Sequence, residues 1–184
     1  TSLQEFESIY AEFGFNDAYA KDTKSATYLA ELDNNYVILS IDSCTPKKSP
    51  HGMTEERIDW IEAQVKAAKA KGKKVIAMLH HNLVEHYILE AKIHTGAVVT
   101  KESTRLADVL ADNGVKYVFT AHTHSHDITS YTSPAGNTLY EAVTNSLTQY
   151  PCAFRVVSFG EKVDFTVDYV REIDTSLLPA GIHE

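Results

Sequence analysis

The chain has 184 residues, 43% of them hydrophobic, which suits one globular domain with a buried core. Its net charge of -8, without long runs of one sign, argues against nucleic acid or an anionic membrane as the main partner. Two cysteines, Cys44 and Cys152, are too few for a disulfide framework and too isolated for a cysteine zinc site, so each reads as a small buried residue. No apolar stretch approaches the roughly 20 residues of a membrane span, and a chain opening on Thr1 says nothing about a targeting segment.

Residues 2–13 carry a helical pattern. Ser2 and Glu5 form a capping-box pair, Phe6, Ile9, Tyr10 and Phe13 share one face, and Gly14 is the stop. The polar segment 15–24 reads as irregular. Residues 26–32 and 36–42 read as strands around Asp33-Asn34-Asn35; the second is nearly continuous in apolar residues, as for a strand covered on both faces. A loop with two prolines spans 43–52. Thr54 then caps a helix to about Lys71, with Ile58, Ile61, Val65 and Ala68 as its inner stripe and Gly72 as its end. The strand 75–79 follows. The segment 81–99 has no clear period and is long enough for a covering or binding loop. A helix over 101–112, with Leu106, Val109 and Leu110 inward, leads into the strand 115–120. Beyond it the pattern changes to two hairpins, 128–133 with 138–143 and 154–159 with 163–170, read as an antiparallel meander. The expected class is therefore mixed α/β, with sheets packed together, helices outside and ligands at strand ends.

The histidines carry the chemistry. The apolar strand 115–120 runs into His122, His124 and His126 at alternate positions, and residues two apart in an extended segment point to one side. A second group, His80 and His81, follows the strand 75–79. Metal sites draw ligands from more than one element, so two histidine-tipped strand ends lying side by side would form a metal site. Such a set suits a mononuclear zinc with an open position or one part of a two-metal site, where neutral imidazoles need carboxylates or an asparagine beside them. His51, His94 and His183 read as surface residues, and His86 could line a cleft beside His80 and His81 or face solvent. Asp42 reads as a strand end, and Asp127 as the holder of an imidazole or a turn cap.

Leu79-His80-His81-Asn82-Leu83 and Phe119-Thr120-Ala121-His122-Thr123-His124 resemble the last two motifs of the calcineurin-like metallophosphoesterases, a lone histidine after a strand and a later Gly-His-x-His. The likeness extends to the helix bearing Trp60 and the helix ending in Asn113-Gly114, and covers roughly residues 6–170. It implies His80, His122 and His124 as metal ligands, the last two on different ions, and His81 as a substrate contact or a support for a ligand. His126 lies beyond the motif. Ala121 stands where the family has glycine, at a cost of about 1 kcal/mol if positive φ is required there. The family's earlier motifs, Asp-x-His, Gly-Asp-x-x-Asp and Gly-Asn-His followed by Asp or Glu, do not occur in these residues. They supply the bridging aspartate, the asparagine ligand and a histidine that assists the leaving group.

The resemblance thus implies one incomplete domain over 1–184, with 171–184 as tail: the C-terminal half of a four-layer α/β/β/α metallophosphatase sandwich. The function implied is hydrolysis of a small phosphoester by a metal-bound hydroxide, with two divalent ions (Mn, Fe or Zn) in the complete site. The chain alone would bind metal weakly, be inactive, and either self-associate or recruit a missing N-terminal half. Two other readings compete. One is a non-catalytic structural or binding module with incidental histidines. The other is a mononuclear zinc hydrolase of the metallo-β-lactamase type, whose His-x-His-x-Asp-His order differs from His-Thr-His-Ser-His-Asp here.

Overall fold

A computed structural model describes residues 2–44, 53–93 and 101–172. The expected loop 43–52 beyond Cys44, with His51, the segment around His94 and most of the tail, with His183, lie outside the described residues.

Helix α1, Leu3–Ile9, opens with the expected capping box: the Glu5 amide donates to Ser2 Oγ at 3.1 Å and the Ser2 amide to Glu5 Oε2 at 3.3 Å. It ends earlier than the pattern predicts, passing into a 3₁₀ turn, Ala11–Phe13. The reason is exposure. Ile9 is 61% and Phe13 77% exposed, so no core rewards a longer helix. Gly14 closes the turn at φ 118°, and a Cβ there would come within 2.3 Å of Tyr28 Oη. The segment expected to be irregular contains strand β1, Ala18–Lys21, paired antiparallel to β2, Tyr28–Glu31.

Seven strands form the main sheet, with β1 at one edge and β2 beside it. Strands β3 (Tyr36–Ile41), β4 (Lys74–Leu79), β5 (Tyr117–Thr120) and β7 (Thr138–Val143) are mutually parallel at its centre. One face buries Val37, Leu39, Ala77, Val118 and Leu139 against helices α2 (Glu55–Ala70) and α4 (Lys101–Asp112), between which the chain forms only the short α3 (Glu90–Ile93) as helix among the described residues. The expected stripe of α2 is buried in full, as are Leu106 and Leu110 of α4, while Val109 is partly buried. Thr54 caps α2, its hydroxyl accepting from the Arg57 amide at 3.2 Å. Strand β3 is fully buried on the helix face only; its other face is half-buried, unlike the two-sided burial its composition suggests.

The second half departs from a meander. Hairpin β6 (Asp127–Thr132) and β7 enters the main sheet, with β7 beside β5 and β6 at the edge. Strand β7 takes the interior place because Leu139, Ala142 and Val143 need cover, whereas β6 has no buried residue. Strands β8 (Ala153–Phe159) and β9 (Val163–Tyr169) form a separate two-stranded sheet over the face opposite α2 and α4. Phe159 lies 5.3 Å from Tyr36 and 5.7 Å from Tyr117, and Phe165 6.3 Å from Phe119, between ring centroids. On this second face Met78, Ile128 and Tyr140 stay 42–45% exposed. The fold is mixed α/β as expected. Of a four-layer sandwich, the described residues supply a helical layer, the large sheet and a small second sheet. Both cysteines differ from expectation: Cys44 is exposed and Cys152 only half-buried, because each sits in irregular chain just outside a strand. Among the described residues no helix is long and apolar enough to cross a membrane.

Ile61 is fully buried between α2 and the sheet, so Ile61→Ala is expected to cost roughly 2–5 kcal/mol in urea unfolding. Ile9→Ala, at an exposed position of α1, should stay within about 0.5 kcal/mol.

Candidate metal centre

Strands β4 and β5 pair in parallel and end at Leu79 and Thr120, which brings the two histidine groups to one edge of the sheet. The closure continues past the strands: the His80 carbonyl accepts from the amides of Ala121 at 3.1 Å and His122 at 3.0 Å. His80 Nε2 and His122 Nδ1 are 3.0 Å apart. His81 stands beside both, with ring centroids 5.0 Å from His80 and 4.6 Å from His122. One ring nitrogen of each of His80, His81 and His122 lies within 4.8 Å of the others. His80 is exposed, His81 buried and His122 half-buried, so the group opens to solvent on one side. Ser43, just past β3, sets the His81 ring, with Oγ 2.7 Å from Nδ1. Three neighbouring strand ends thus contribute to one place. The cavity of about 300 Å³ lined by Tyr36, Lys74, Lys116 and Tyr117 lies at the opposite ends of these strands and takes no part in this group.

The donor set suits one borderline divalent ion: three imidazole nitrogens converge, and imidazole accepts zinc, manganese or iron. Among the described residues no carboxylate joins this group, so it does not balance the charge of two ions. Of the three expected ligands, His80 and His122 come together, and His81 joins them as a third nitrogen. His124 is not one of the group. The chain turns after Ala121, the His124 amide donating to the Ala121 carbonyl at 2.9 Å with His124 at φ 53°, so the two-residue alternation of a strand does not carry through. Its Nδ1 instead lies 2.9 Å from Gln149 Oε1. Ala121 itself does not have positive φ, so replacing the family's glycine brings no backbone strain there. Both ring nitrogens of His126 are buried without a hydrogen-bond partner among the described residues. Burial, with the nearby Arg155 charge, holds its pKa below the ordinary value.

The sequence profile of the calcineurin-like phosphoesterases matches residues 3–126. The chain belongs to the calcineurin-like phosphoesterase family. Among solved structures it is similar to a dimetal phosphatase from Danio rerio, at 12% identity and a TM-score of 0.61, over 91% of this chain and 65% of that one. The chain therefore spans about two thirds of that phosphatase. No curated protein matches it.

In this member of the calcineurin-like family, a buried carboxylate that the sequence reading passed over stands under the histidine group. Glu141 of β7 is fully buried; its Oε1 accepts from the Thr120 hydroxyl at 2.7 Å and the Leu83 amide at 2.9 Å, and its Oε2 from the Val84 amide at 2.8 Å. A signal was available: strand alternation puts Glu141 in one row with Leu139 and Val143, where a charge is out of place unless it is used. Glu90, also fully buried, accepts from Asn82 Nδ2 at 3.0 Å and the His86 amide at 2.6 Å. Asn82 Nδ2 also reaches Thr123 Oγ1 at 3.3 Å, joining the two loops that follow β4 and β5. The His86 side chain is buried rather than facing solvent: its Nδ1 is 2.9 Å from Asp127 Oδ2 and its Nε2 3.6 Å from Glu141 Oε1. Asp127 thus holds an imidazole, as expected for it.

Burial works against a charged His86, but the acceptors Glu141 and Asp127 outweigh it and raise its pKa above 6.5. A raised folded pKa contributes stability that is full below the unfolded value and is lost as pH climbs through the folded one. Unfolding free energies measured from pH 5.5 to 8.5 should fall across this window in the wild type. His86→Gln should flatten that slope; an unchanged slope would mean that His86 does not titrate as described.

Proposed function

We propose that the chain carries one part of the metal centre of a phosphoesterase. His80 and His122 are the donors to one divalent ion, and His81, held by Ser43, is the third nitrogen beside them. His124 is the donor expected for a second ion, with Gln149 as the partner that orients its ring. The observation that carries the reading is the convergence of His80, His81 and His122 at the ends of two paired parallel strands, supported by membership of the family. A divalent ion held there would polarise a phosphoryl oxygen and acidify a water molecule. The protein's part is positional. The His80 carbonyl bridges the two ligand-bearing segments, and Ser43 fixes one His81 nitrogen so that the ring presents the other edge. Exposed His80 leaves the group open on the side a small phosphoester would use.

The donors in hand are all neutral, so the reading includes an incomplete site. Mn, Fe and Zn all remain compatible with it. Hydrolysis of bis-p-nitrophenyl phosphate by this chain with added Mn²⁺ is expected to stay near background; robust turnover would sink the incomplete-site reading. Zinc titration tests the donors themselves. His80→Ala and His122→Ala should each weaken binding by at least about tenfold, judged by what loss even of supporting groups does at metal sites. Unchanged affinity in both would instead favour a binding module with incidental histidines.

The second sheet face bears on partners. Met78, Ile128 and Tyr140 stay exposed there beside the β8–β9 hairpin, and we read the face as one that meets a further chain segment or a second copy. Sedimentation of this chain alone should show self-association, and a monodisperse monomer would count against it.

A further inference from the structure

We propose that Glu141 is a positioning residue for the histidine centre, a buried clasp that sets the spacing between its two ligand-bearing segments; the inference rests on the metal-centre reading above. Glu141 lies on β7, a strand that carries none of the histidines. Its carboxylate nevertheless reaches both segments that do. Leu83 and Val84, whose amides it accepts, follow His80, His81 and Asn82; Thr120, whose hydroxyl it accepts, ends β5 just before Ala121 and His122. One side chain therefore ties the chain shortly after one pair of histidines to the chain shortly before the third.

The arrangement is unlike a packing contact. The row of β7 facing α4 is otherwise apolar, with Leu139 and Val143 fully buried on either side of Glu141. A carboxylate there is unfavourable unless its acceptors are used, and an apolar side chain would fill the same row without that penalty. Here both oxygens are engaged: three of the four hydrogen bonds come from backbone amides, and His86 Nε2 lies 3.6 Å from Oε1. Two of the donors belong to an irregular segment beyond β4, where, among the described residues, the pairing of β4 with β3 and β5 does not extend to Leu83 and Val84. The clasp, together with Glu90 and the buried Leu83 side chain, gives that segment a fixed path, and His80 and His81 leave β4 along it. The His80 carbonyl and the Asn82–Thr123 contact join the same two segments nearer the rings. Together they leave the segments little freedom to separate, and Glu141 is the only one of the three that anchors both to a third strand.

Removing the clasp should loosen the spacing of the imidazoles before it unfolds the sheet. The test is zinc titration of the chain with Glu141→Gln, Thr120→Val, Thr120→Ser, His122→Ala and Val65→Ala, each with its melting temperature. Glu141→Gln puts an amide nitrogen against amide donors, and Thr120→Val removes one bond at nearly constant volume, so it remains informative if the first variant fails to fold. Both are expected to bind zinc about ten- to a hundredfold more weakly than wild type, the range for groups that orient metal ligands. Thr120→Ser, which keeps the hydroxyl, should recover wild-type affinity. Val65→Ala, a cavity in fully buried α2 packing, should lower the melting temperature and leave affinity within about twofold, because a remote loss of stability does not alter ligand spacing. Wild-type affinity in Glu141→Gln and Thr120→Val, or an equal loss in Val65→Ala, would overturn the proposal. Should His122→Ala, like His80→Ala, bind zinc as wild type does, the metal-centre reading itself fails and the clasp has nothing to position.

Discussion

The His80 carbonyl oxygen, receiving the amides of Ala121 and His122, is the contact on which the rest of the site depends. It prolongs the parallel pairing of β4 and β5 beyond their last strand residues and so holds the chain of one histidine against the backbone of another. Parallel strands end on the same side of a sheet, which is why ligands gather there. Here that side gathers Ser43 after β3, His80 and His81 after β4, and His122 after β5. The apolar rows beneath, with Ala77 and Val118 fully buried against the helices, keep the strands from sliding and thus keep the rings in register.

Around this edge the structure uses polar groups as anchors. The segment 82–93 contains only a short helix, Glu90–Ile93, and buries few of its apolar residues; Ile88 is 87% exposed. Its path is set by two fully buried carboxylates, Glu90 within it and Glu141 below it, both satisfied by amide donors. A segment held in this way has no hydrophobic period. Over residues 82–93 the sequence shows no period for that reason.

The longer elements were legible because each repeats one signal many times. Helix α2 shows its cap, its stripe and its glycine stop, and α4 its inner leucines; both stand where the pattern puts them. Where a signal is short or local, neighbours decide. Helix α1 stops early because its apolar face meets little core, and β1 forms within a polar stretch because β2 offers it an edge. The two C-terminal hairpins are legible as strands, but not their division between the main sheet and a separate one. Alternation says which residues share a face and nothing about which strand lies alongside.

By itself the sequence determined the strands and helices of the centre, the two histidine groups after β4 and β5, and the likeness to the calcineurin-like family. Those properties reside in local patterns and in residues close along the chain. Only the tertiary structure decided that His81 joins His80 and His122 while His124 is held by Gln149. The deciding event is a turn at His124, with positive φ, that ends the strand alternation and brings its ring to Gln149. The structure likewise decided the place of Glu141. Its partners lie 58, 57 and 21 residues away along the chain, and no local pattern records a contact that exists only once β7 lies beside β5.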